Sequence, residues 1–75
     1  MTVDSLLELI TLAKEDIDTG QISSVYVDGP GWFRIADIRY ERSSGVVLLT
    51  LPDDAGYVSA PWDRVAAIKA TPPIA

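Results

Sequence analysis

The chain contains no cysteine and no histidine. The first absence removes disulfides and thiolate metal sites, and the second removes the commonest metal ligand. Together they exclude Ser–His and Cys–His catalytic pairs and thiol nucleophiles, so that only carboxylates or a lysine are left for any chemistry. No apolar run approaches the ~20 residues that a membrane-spanning helix needs, and the first residues carry neither a basic stretch nor a small-residue cleavage site. The composition thus points to a non-enzyme with no cofactor, no metal and no membrane span. Its expected setting is the cytoplasm, of a cell or of a cell hosting a mobile element.

At 75 residues there is room for one core and no second domain. A chain this short buries only about 60% of the surface its unfolded form exposes. Small domains therefore lean on a disulfide, a metal or a partner subunit. With the first two excluded, self-association is the support left open, and a homo-oligomer is the expectation. The net charge of −5 opposes a simple nucleic-acid binder held by phosphate neutralisation. That charge is unevenly placed. Residues 1–28 hold Asp4, Glu8, Glu15, Asp16, Asp18 and Asp28 against Lys14 alone, while residues 29–75 balance five acids with five bases.

Val3, Leu6, Leu7, Ile10, Ala13 and Ile17 follow helical spacing, which predicts an amphipathic helix over about 3–18. Leu9 and Leu12 widen its apolar stripe. Thr2 or Asp4 can cap its start and Gly20 its end. Glu15, Asp16 and Asp18 crowd the negative end of the helix dipole, where cations are preferred. From Ile22 the period drops to two, and strands are expected over about 22–28, 32–41, 46–51, 57–60 and 65–70. Asp28-Gly29-Pro30-Gly31 forces the first turn. In the second strand Trp32, Ala36, Ile38 and Tyr40 share one parity and Phe33 and Ile35 take the other. The apolar face therefore changes sides near Ala36-Asp37, as it does where a sheet bends into a barrel. Val46–Leu51 is apolar except at Thr50, the pattern of a strand covered on both faces. Pro61-Trp62-Asp63-Arg64 reads either as a tight turn or as the start of a short helix capped by Ser59.

Three motifs invite chemistry. Placing Gly20 at the sixth position of a calcium loop puts Glu15 first, but Ile17 third and Tyr26 twelfth, so that pattern fails. Asp53-Asp54 form a carboxylate pair, yet they sit in a Pro-to-Gly loop whose turn chemistry accounts for them. Gly29-Pro30-Gly31 lacks the Lys-Ser/Thr of a phosphate loop. The candidate binding residues are the two junction tryptophans, Trp32 and Trp62, with Arg34, Arg39, Arg42 and Arg64. Aromatics beside cations stack bases or proline-rich segments.

The order of elements resembles Sm-like small β-barrels and, more broadly, SH3-like barrels. The residues that carry this are Val25-Tyr26-Val27-Asp28-Gly29, Val46-Val47-Leu48-Leu49, and Tyr57-Val58 through Trp62-Asp63-Arg64-Val65-Ala66-Ala67-Ile68. The resemblance implies rings joined by edge-strand pairing, with RNA at the pore or on one face. The Tyr-Lys-His motif of the bacterial Hfq branch is replaced here by Pro61-Trp62-Asp63, so that RNA site is not carried over. The expectation is an α+β, mostly β, domain: an N-terminal amphipathic helix and a strongly bent antiparallel five-stranded sheet forming a small SH3-like or Sm-like barrel. Its expected role is a self-assembling, non-catalytic module that contacts a protein or nucleic-acid partner. The alternative is an acidic phage or mobile-element inhibitor whose carboxylates mimic nucleic acid.

Overall fold

A computed structural model describes residues 2–72; of the proline-containing tail expected at 71–75, residues 73–75 lie outside it. Helix α1 spans Val3–Asp18. It starts where Thr2, in extended conformation, accepts the Ser5 N–H on its side-chain oxygen at 3.1 Å. It stops in a Schellman motif, with Gln21 N–H donating to Asp16 C=O at 2.9 Å and Gly20 N–H to Ile17 C=O at 3.0 Å. Gly20 takes φ +89°, a conformation that costs a side-chain-bearing residue energy.

Six strands follow: β1 (Ile22–Val27), β2 (Gly31–Ile35), β3 (Asp37–Glu41), β4 (Val46–Thr50), β5 (Tyr57–Pro61) and β6 (Val65–Thr71). They form two three-stranded antiparallel sheets, ordered β2-β1-β6 and β3-β4-β5. One five-stranded sheet was the expectation. The difference arises at Ala36, where the long second strand breaks and passes from one sheet to the other. Ile35 faces the core from β2 and Ile38 from β3, three positions on. An unbroken strand, with its period of two, would put one of them outside. The break keeps its backbone bonded: Ala36 N–H donates to Thr50 C=O at 2.7 Å, and the Asp37 carboxylate accepts the Ile38 N–H at 2.9 Å. A three-residue 3-10 helix, Trp62–Arg64, joins β5 to β6, with Pro61 and not Ser59 at its cap position; the segment is one short helical turn followed by a strand.

One core lies between the sheets and under the helix. Leu6, Ile10 and Ala13 of α1 meet Val25 and Val27 of β1, Ile35, Ile38, Val47, Leu49, Ala60 and Val65. The helix packs mainly against β3, β1 and β6. The buried Ser23 hydroxyl ties β1 to it, reaching the Ala13 carbonyl at 3.5 Å. Two apolar stretches are less covered than their sequence suggests. Leu12 is 54% exposed on the polar side of α1. In β4, Val47 and Leu49 are buried, whereas Val46 and Leu48 face outward and are only half-buried.

Candidate binding face

The strands β1, β2 and β6 contain two cations, Arg34 and Lys69, and no acid. Their register fixes what stands on the outer face. Tyr26 lies opposite Trp32 on one side and Ala67 on the other; Ser24 lies opposite Arg34 and Lys69. Paired residues share a face, and Val25, Val27 and Ser23 are buried on the other one. Trp32, Tyr26, Arg34 and Lys69 therefore form one cluster across three strands.

Its geometry is specific. The Tyr26 and Trp32 rings meet edge-on, with centroids 5.3 Å apart at 70°, a favourable arrangement of their quadrupoles. The Lys69 ammonium sits 4.3 Å from the Trp32 ring centroid, within cation–π range. Trp32 is still 48% exposed. Trp32 is thus a large aromatic held by two neighbours and left open to solvent.

The six residues singled out from the sequence do not converge. Trp32 and Arg34 share this face. Arg39 lies on the outer face of the other sheet, opposite Leu48, and borders a shallow hollow of about 560 Å³ with Leu51, Asp54 and the 72%-exposed Tyr57. Arg42 follows β3 and, with Tyr40, faces Val3, Asp4 and Leu7 at the start of α1. Trp62 is half-buried against the core; its backbone N–H donates to Gly45 C=O at 2.9 Å, and its ring lies over Gly45. Arg64 belongs to the 3-10 turn, and its carbonyl accepts the Asp28 N–H at 2.8 Å. Tyr26 and Lys69 complete the cluster and were not among the sequence candidates. Tyr26 alternates with buried Val25 and Val27, so its outward direction was readable; Lys69 stands between half-buried Ile68 and exposed Ala70, with no such alternation. The register that brings both to Trp32 was not.

Among the described residues no group of three or more acidic side chains is placed to hold a metal ion, and no helix is long and apolar enough to cross a membrane. Comparison with protein-family models, with curated proteins and with solved structures gives no match.

Proposed function

We propose that this chain is a small non-catalytic binding module built as an Sm-like, or more broadly SH3-like, barrel that self-assembles and contacts a protein or nucleic-acid partner. The single observation that carries the binding reading is the Trp32–Tyr26–Lys69 stack with Arg34 beside it, on a three-stranded face without an acid. An exposed ring stacks on bases or apolar groups, and the adjacent cations attract phosphate or carboxylate. The barrel reading is supported by the strand orders β2-β1-β6 and β3-β4-β5, the chain crossing between sheets at Ala36, and the 3-10 turn before β6. Self-assembly is supported by β5 and β6, each paired along one edge only, and by the half-buried Val46 and Leu48.

The test is a titration of labelled single-stranded oligonucleotide, read through Trp fluorescence, alongside the native mass and 260/280 nm ratio of the purified protein. Trp32→Ala is expected to weaken oligonucleotide binding by roughly 5- to 150-fold, the equivalent of about 1–3 kcal/mol per stacked base. Equal binding by the variant rejects the face as the site.

A second reading is favoured by the exposed acids Asp4, Glu8, Glu15 and Asp18 of α1: an inhibitor protein that presents carboxylates in place of nucleic acid. Neutralising Glu15, Asp16 and Asp18 together then abolishes inhibition of the target enzyme, and indifference to that change counts against it.

A further inference from the structure

We infer that the outer face of the β2-β1-β6 sheet docks the exposed acidic side of α1 from a second copy of this chain. The inference uses the face assigned above but does not depend on what its other partner is.

Charge is the first argument. The three strands carry two cations and no acid, whereas α1 carries five acids and one lysine. The two surfaces cannot meet within one chain. The helix packs through Leu6, Ile10 and Ala13 onto the inner side of the sheet, where Val25 and Val27 lie, and Trp32 stands on the outer side.

Spacing is the second. Arg34 and Lys69 both lie opposite Ser24, one on each side of β1. Two inter-strand steps place their backbones about 10 Å apart. Glu8 and Glu15, both exposed, are seven residues apart on the helix. That is two turns and about 10 Å on one side of it. A helix laid across the strands therefore sets Glu8 and Glu15 over the backbone positions of Arg34 and Lys69, with the Lys69 ammonium reaching from there to the Trp32 ring.

The third argument is apolar. Leu12 lies between those two glutamates in sequence and is 54% exposed, with Glu8 and Thr11 beside it on the same side of the helix. On the sheet the matching projection is Trp32, one outward position along β2 from Arg34. A helix lying there brings exposed Leu12 toward the exposed Trp32 ring, beside the row of charge pairs. Because the two patches differ, the contact runs head to tail and builds rings or open chains.

Sedimentation between about 20 mM and 500 mM salt tests this, because the Debye length shortens from roughly 20 Å to roughly 4 Å across that range. The expected result is a mass above one chain at low salt that falls as salt is added. Arg34→Glu with Lys69→Glu, or Glu8→Lys with Glu15→Lys, should each weaken association at least about tenfold, since each sets like charges against each other. An equimolar mixture of the two variants should recover it. A single-chain mass at low salt, indifference to both reversals, or a mixture that does not recover overturns the inference. Helix content by circular dichroism guards against unfolding. If a reversal unfolds the chain, Glu8→Gln with Glu15→Gln decides: undiminished association then overturns the contact. Oligonucleotide binding by a chain that stays monomeric also overturns it, together with the self-assembly half of the proposed function, and leaves the binding half standing.

Discussion

Asp53 and Asp54 both have positive φ, +59° and +57°, in the turn closed by Ala55 N–H to Pro52 C=O at 3.2 Å. Positive φ at both central positions marks a type I′ turn, whose preferred pair is Asn-Gly. Two aspartates hold that shape at a cost of about 1 kcal/mol or more each. Asp53→Asn with Asp54→Gly is therefore expected to stabilise the chain by about 1 kcal/mol, read as a higher urea midpoint with an unchanged slope. No gain would mean that the carboxylates make compensating contacts. Gly45 shows the opposite case. It takes φ +68° with Trp62 against it, and there the sequence already supplies the residue the backbone needs.

At the scale of the element, α1 is well capped and badly charged. Its last turn has no base and ends in Glu15, Asp16 and Asp18, against the dipole. Asp18→Lys is expected to raise stability by about 0.3–1 kcal/mol at low salt and by less at high salt, measured by thermal melts in both. An unchanged melt would show that solvent already screens the end. The same element shows what the sequence made legible. Spacing located the helix, and alternation located the outward residues of β1 and the change of side at Ala36. Those patterns depend on near neighbours in the chain. Leu12 fits the widened stripe in sequence, yet the core it would have to reach is filled by Leu6, Ile10 and Ala13. The partition into two sheets was hidden, because the change of side at Ala36 fits a bend within one sheet as well as a passage between two. So was the site: Trp32 meets Tyr26 and Lys69 through pairings made between distant parts of the chain, and no spacing rule encodes those pairings.

For the whole molecule, charge and stability lead to the same experiment. Among the described residues, eleven buried apolar side chains make the core and Leu12, Trp32 and Tyr57 are left outside, and neither a disulfide nor a thiolate metal site can reinforce it. If native chains associate and unfolded ones do not, mass action couples folding to assembly. The melting temperature should then rise with concentration, by on the order of 5–10 °C over a hundredfold range for a domain this small. Salt separates the two modes of association. Pairing along the free edges of β5 and β6 relies on backbone hydrogen bonds and apolar contact, which salt screens little. The helix-on-sheet contact relies on Glu8 and Glu15 facing Arg34 and Lys69, and it is screened. A concentration-dependent melt that flattens at high salt points to the helix contact, and one that persists points to strand edges. A melt independent of concentration at both salts rejects self-assembly over the range measured, leaving the Trp32 face to act from a single chain.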